Sequence, residues 1–110
     1  MNAEQQEAEL TLWANGVAEA LDRKERPELA AVFRALARRD ADGVREAIEV
    51  FPPVMLEALS EMVELEQRDR AAAGQERAVE ILDWLANLVQ QVFDRHGTID
   101  LDPGEAGPVQ

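Results

Sequence analysis

The stretch that decides the fold is EVFPPVMLEALSEMVELEQRD, residues 49–69, in which two prolines stand before a run rich in Leu, Met and Glu. A proline disfavours helical backbone in the residue before it, so Phe51 and Pro52 are both kept out of the α region. A proline is well tolerated in the first turn of a helix, and Pro53 suits that position. The stretch therefore predicts that one helix ends near Val50 and that another begins at Pro53.

Two other interpretations of this stretch are weaker. A polyproline docking motif needs an exposed, extended segment and usually PxxP spacing, whereas Phe51 falls on the apolar stripe of the preceding helix. The side chains of Glu57, Glu61 and Glu64 share one helix face and could bind a metal if a second helix supplied histidines or further carboxylates. The single histidine, His96, has no Glu three residues before it. We therefore predict a helix corner, a solvated glutamate face and no metal site.

Elsewhere apolar residues recur with the period of an α-helix, and no run alternates as a strand would. The second helix is predicted to begin at Pro27, and Asp40 is the predicted N-cap of the third. Unbroken, residues 53–96 would form a rod of about 65 Å, so we place a break at Gly74. The predicted stripes are Ala3, Leu10, Trp13, Val17, Ala20 and Leu21; Leu29, Val32, Phe33 and Leu36; Val44, Ala47, Ile48 and Phe51; Met55, Leu56, Leu59, Met62 and Val63; and Ala78, Ile81, Leu82, Leu85, Leu88, Val89, Val92 and Phe93.

These patterns predict an all-α protein, a single-domain bundle of four to five helices joined by short turns over residues 1–97. The last helix is predicted to end at His96 and Gly97, where a cation and a left-handed glycine are favoured. Residues 98–110 are rich in Gly, Pro and acidic residues, and we expect a flexible tail. Within the first helix, Gly16 costs about 1 kcal/mol relative to Ala and predicts a kink or a close helix contact.

Composition limits the classes of protein to which the chain can belong. Its 110 residues are 46% hydrophobic and 31% charged, as in one soluble globular domain. The absence of Cys excludes disulfides and thiolate chemistry. Neither a signal-peptide pattern nor an apolar run long enough to span a bilayer is present, so we expect a cytoplasmic protein. The net charge of −12 argues against nucleic acid and membrane surfaces as partners.

The charge is unevenly spread along the chain. Residues 22–45, the basic band, carry a net charge of +2, and the rest of the chain carries −14. The segment from Arg34 to Arg45 straddles a short turn, but a helix-turn-helix for DNA is disfavoured by the overall charge and by the lack of aromatic, Asn or Gln residues on that segment. Two interpretations stay open, namely a surface for an oriented partner or for self-association, and an ordinary mixed solvated surface.

No constellation of catalytic residues is visible in the sequence. Cys and Tyr are absent, and the hydroxyl side chains are limited to Thr11, Ser60 and Thr98. Nucleophilic catalysis would need one of these beside a base, and the glycines form no phosphate-binding loop. We therefore predict no enzymatic activity, no cofactor and no small-molecule substrate.

Several residues of the segment 35–97 follow a recognisable order of corner, helix, turn and helix, and they are Phe51-Pro52, Leu56, Leu59, Gly74, Leu82, Leu85 and Gly97. In this order residues 35–97 resemble a helical module found beside tetratricopeptide arrays in bacterial multidomain proteins. The family pattern is a short helix, a Pro-containing corner, a Leu-rich helix, a Gly-containing turn and a long helix that ends near Gly. This chain doubles the family's usual single proline and has no full tetratricopeptide consensus. The resemblance implies a protein-interaction role, often in bacterial signalling or defence.

Two functions fit these features. The first is a non-enzymatic adaptor or scaffold that binds another protein, or itself as a homodimer, through an apolar helix face and the basic band. The alternative is an acidic inhibitor, antitoxin or immunity-type protein that neutralises a basic partner, with binding that weakens steeply with salt. Its acidic face would consist of Glu57, Glu61, Glu64 and Glu66. The adaptor's candidate contacts are Leu12, Trp13, Trp84, Arg34, Arg38, Arg39 and Arg45.

Overall fold

The structure, a computed structural model, describes residues 2–101 of the chain and the side chains of residues 2–95. That part of the chain contains five helices and no strand, which confirms the predicted all-α fold. Within it, no helix is both long enough and apolar enough to cross a membrane. The helices are α1 (Ala3–Arg23), α2 (Pro27–Ala37), α3 (Ala41–Glu49), α4 (Pro53–Ala72) and α5 (Glu76–Leu101).

The corner between α3 and α4 has the predicted form. Helix α3 ends at Glu49, and Phe51 turns into the core, where only 2% of its surface is exposed. Pro52 adopts an extended backbone, with φ −69° and ψ 159°, and Pro53 begins α4. The double proline therefore ends one helix and starts the next, because neither residue before a proline can stay helical.

The break between α4 and α5 also lies where the sequence predicts it. Gly74 has a φ of +74°, a left-handed conformation that glycine adopts at little steric cost. The amide of Gln75 then donates to the carbonyl of Arg70 at 2.9 Å, which closes the turn. Helix α5 folds back along α4, and the Gln67 side chain donates to Asp83 at 3.3 Å.

The helices pack as two extensive pairs that α3 connects. Helix α1 packs on α2 and α4 packs on α5, while α5 also contacts α1 and α3. The molecule measures 55 × 30 × 22 Å. At the centre of the first pair, Phe33 is fully buried and meets Trp13 edge to face, with 5.5 Å between ring centroids. The aromatic pair therefore joins α1 to α2 within the core.

The buried stripe of α1 differs from the predicted one. Its four fully or largely buried residues are spaced by four positions, and they are Gln6, Leu10, Ala14 and Ala18. Ala3, which the sequence placed on the stripe, is exposed. The prediction gave weight to large apolar side chains and so missed the small residues and the glutamine that share this face with Leu10.

Gly16 does not mark a contact between helices. Helix α1 is continuous through this position, and a Cβ built on Gly16 would meet no atom within 4 Å. The expectation of a close helix contact there is therefore wrong.

Replacing Gly16 with alanine is expected to raise the free energy of unfolding by about 0.5–1 kcal/mol, because alanine loses less backbone entropy on folding. Urea unfolding followed by circular dichroism measures the change. Gly43→Ala is the matched control, since a Cβ there would lie 2.5 Å from a carboxylate oxygen of Asp40. A Gly16→Ala protein that is no more stable than the parent would contradict the expectation.

Helical backbone in α5 continues to Leu101, beyond the predicted end at Gly97. A glycine costs a helix about 1 kcal/mol but does not by itself stop it, and no proline follows Gly97 until Pro103. The His96 side chain and residues 102–110 of the predicted tail lie outside the described part of the chain.

Candidate interaction groove

A groove of about 270 Å³ lies between the α2–α3 corner and the first turns of α5. Apolar side chains from three helices form its floor, and both acidic and basic residues stand on its rim. We call it the Trp84 groove. Its lining residues are Leu36, Arg39, Asp40, Ala41, Val44, Arg77, Glu80, Ile81 and Trp84.

Trp84 is the largest apolar side chain of this surface. It remains 36% exposed, although its neighbours on α5, Leu82 and Leu85, are fully buried. Among the described residues, no acceptor bonds its indole N–H. A half-exposed aromatic ring with an unused donor is typical of residues that carry binding energy at protein interfaces.

Arg39 forms one wall of the groove from a backbone conformation that is uncommon for an arginine. Its φ is +55°, in the left-handed region that glycine usually occupies. The guanidinium donates to the carbonyls of Leu36 at 2.8 Å and Glu7 at 2.9 Å, which ties α1 to the end of α2. Most of its hydrogen-bonding capacity is therefore used within the chain.

The other predicted arginines of the basic band lie outside the groove lining, and each has a carboxylate close by. Arg45 lies 3.4 Å from Asp42, and Arg38 lies 4.0 Å from Asp40. Arg34 forms an ion pair with Asp22. The hydrogen bond from Arg34 lowers the pKa of the Asp22 carboxyl and raises the pKa of the arginine. The structure thus brings only Arg39 of this set together with Trp84.

The opposite wall is held by an ion-pair network between α1 and α5. The Nε of Arg77 donates to Glu7 at 2.8 Å, and its Nη1 donates to Glu80 at 2.9 Å. The hydrogen bond from Arg77 is the main cause that lowers the pKa of the Glu7 carboxyl, and the charges of Arg77 and Arg39 add to it. The hydrogen bonds that Arg77 donates to Glu7 and Glu80 raise the pKa of Arg77 in turn.

The first turn of α5 is capped by a side chain from another helix. Gln6 of α1 is buried, and its Oε1 accepts from the amides of Arg77 at 2.7 Å and Ala78 at 3.2 Å. Amides of a first turn have no partner within their own helix, so an acceptor from elsewhere stabilises the helix. Sequence analysis missed Gln6. The one feature of the sequence that could have indicated its role is that it lies four positions before Leu10, and therefore on the same buried face of α1.

Lowering the pH is expected to weaken the Glu7–Arg77 pair. Folding lowers the pKa of Glu7. The contribution of the Glu7–Arg77 pair to the free energy of unfolding is therefore complete above the ordinary glutamate pKa of about 4.3. It is lost as the pH falls through the lowered value. Arg77→Gln should therefore be less stable than the parent at about pH 7, and the difference should shrink towards about pH 3. Urea midpoints of both proteins measure it, and a difference independent of pH would contradict the assignment.

The remaining predicted apolar contacts lie outside the groove. Leu12 on α1 is 72% exposed. Trp13 is half-buried and packs against the core beside Phe33, in keeping with its place on the predicted stripe of α1. The two neighbours differ in burial because Trp13 faces α2, whereas Leu12 points away from it.

The predicted acidic face of α4 is smaller than expected. Glu57, Glu61 and Glu64 are exposed. Glu66 is partly buried instead and accepts from the Nε of Arg70 at 2.6 Å, which places it outside the acidic face. Across the described residues, no group of three or more His, Asp and Glu side chains is arranged to hold a metal ion.

No protein-family model matches the chain, and no curated protein or solved structure is significantly similar to it.

Proposed function

We propose that this protein is a non-enzymatic adaptor or scaffold that binds a partner protein in the Trp84 groove. The observation that carries the proposal is the half-exposed Trp84 beside an apolar floor, with its indole N–H unused among the described residues. Buried aromatic anchors surrounded by polar rims dominate the affinity of many protein interfaces. The resemblance of residues 35–97 to a tetratricopeptide-associated module agrees with such a role.

The walls of the groove favour a preformed site. Arg39 and Arg77 are each held by hydrogen bonds to α1, and Gln6 fixes the first turn of α5. A partner would therefore spend little free energy on ordering these walls, and preformed surfaces bind more tightly than mobile ones of equal area. The chemistry of the lining suits one apolar side chain of the partner, flanked by charges of both signs.

Trp84→Ala is expected to weaken partner binding by about thirty-fold or more, as for a typical interface hot spot. A tagged protein is incubated with host lysate at about 100 mM and about 500 mM salt, concentrations that differ strongly in charge screening. An apolar contact should retain the partner at both salt concentrations. Leu12→Ala is the matched control, since Leu12 is exposed and lies outside the groove lining. Equal capture by the Trp84→Ala protein would contradict the proposal, and recovery of a second copy alone would identify self-association.

The alternative function, an acidic inhibitor, antitoxin or immunity-type protein, is favoured by one observation. Glu57, Glu61 and Glu64 are exposed, and within the described part of the chain they form no ion pair. Unpaired carboxylates on one edge attract a basic partner, and salt screens this attraction. Loss of the partner at about 500 mM salt, with no effect of Trp84→Ala, would support this function instead.

A further inference from the structure

A second surface, on α4, differs in chemistry from the Trp84 groove. One side of α4 packs on α5, and the opposite side is exposed along the helix. Val54 and Leu65 on that side remain 69% and 63% exposed. They lie about 17 Å apart along the helix axis, with exposed Ala58 between them. The result is an apolar ridge that no other part of the described chain covers.

Three carboxylates follow one edge of this ridge. Glu57, Glu61 and Glu64 are spaced i, i+4 and i+7, so they point to the same side of the helix. Arg68 is four residues beyond Glu64, but within the described residues it makes no ion pair with any of the three. We call these three glutamates the acidic edge, and their charges are available to another molecule.

Glu57 of the acidic edge lines a cavity of about 220 Å³ between α4 and α5. Its apolar lining comes from Leu56, Val89 and Phe93, and its polar lining comes from Glu57, Ser60 and Gln90. The lining contains no Lys or Arg. An apolar recess and three unpaired carboxylates therefore lie side by side on the α4–α5 surface.

We propose that the α4–α5 surface, which contains the carboxylates of the alternative function, binds a basic amphipathic helix of a partner protein. An apolar side chain of that helix would enter the recess, and its Lys or Arg side chains, one helical turn apart, would meet the acidic edge. A second copy of this chain fits poorly, because each copy carries a net charge of −12 and the two acidic edges would repel. The α4–α5 surface and the lining of the Trp84 groove share no residue. An experiment that disproves binding at one site therefore leaves the proposal for the other site standing.

The test uses the full-length protein and a fluorescent amphipathic peptide of about 16 residues, enough for about four turns, built from Leu, Ala and Lys. Fluorescence anisotropy measures its affinity. Replacing all three residues of the acidic edge by glutamine should weaken binding about ten-fold. The matched control replaces exposed Glu4, Glu19 and Glu28 by glutamine, which changes the net charge equally and should leave the affinity within about two-fold. Trp84→Ala should have no effect.

Amide NMR shifts place the bound peptide. The expected perturbations centre on the acidic edge and on the residues of the recess. Four results would overturn the proposal. They are no binding by the Lys peptide, equal binding of a peptide with Glu in place of Lys, equal loss of affinity in the two triple variants, and perturbations centred elsewhere. A dimer that forms through α4 in light scattering, and that the acidic-edge variant strengthens, would identify a second copy as the occupant and would also overturn it.

Discussion

Replacing Phe33 with alanine is expected to lower the free energy of unfolding by about 3–5 kcal/mol. The side chain is fully buried between α1 and α2 and packs edge to face on Trp13, with ring planes 83° apart. The substitution removes the burial of the ring, leaves a cavity and loses the aromatic pair. Small domains are stable by only about 5–15 kcal/mol, so much of the margin disappears.

Urea unfolding followed by far-UV circular dichroism measures this loss. Phe33→Leu is the matched control, because leucine keeps much of the side-chain volume and should cost less than about 2 kcal/mol. The Phe33→Ala protein should also unfold in one transition, since α1, α2 and α3 share the core to which Phe33 belongs. A loss below about 1 kcal/mol for the alanine variant would contradict the central position of Phe33.

Replacing Gln6 with leucine is expected to cost about 1–3 kcal/mol. Leucine has a similar size, so packing is largely kept while the amides of Arg77 and Ala78 lose their shared acceptor. Ala78 is fully buried, and water cannot readily replace the lost bond to its amide. The first turn of α5 should therefore become the weak point of the fold.

Hydrogen exchange distinguishes this effect from a general loss of stability. In the Gln6→Leu protein, the amides of Arg77 and Ala78 should exchange faster than the rate that global unfolding alone would give. Gln5→Leu is the neighbouring control, because Gln5 is exposed and serves only the local cap of α1. If both leucine variants unfold at the same urea concentration, Gln6 has no special role at α5.

The helices could be predicted from the sequence because their ends depend on local chemistry. Prolines at positions 52 and 53, the Asp40 side chain and Gly74 each act on backbone within three residues, and each stands where the structure ends or begins a helix. The left-handed conformation of Arg39 had no such signal. It is held by bonds to the carbonyls of Leu36 and Glu7, and the second of these depends on how α1 packs.

The candidate site could be predicted only in part, because its geometry depends on how the helices pack and not on local chemistry alone. Trp84 is separated from the apolar stripe of its own helix, so periodicity alone indicated an exposed aromatic. Its proximity to Arg39 depends on the packing of α5 against α3 and the α2–α3 corner. Glu66 was misplaced although its partner Arg70 lies only four residues later on the same helix, a spacing that brings the two side chains together. Trp13 was placed on the predicted stripe of α1, but its contact with Phe33 depends on how α1 packs on α2.

Site-specific photo-cross-linking in the host cell tests the central claim, partner binding in the Trp84 groove, most directly. A photoreactive phenylalanine derivative replaces Trp84 in one protein and exposed Leu12 in another, and both proteins are irradiated at equal expression. We predict that position 84 cross-links to one defined partner protein and that position 12 does not. Cross-links from position 12 alone, or none from position 84 above background, would contradict an interaction through the Trp84 groove.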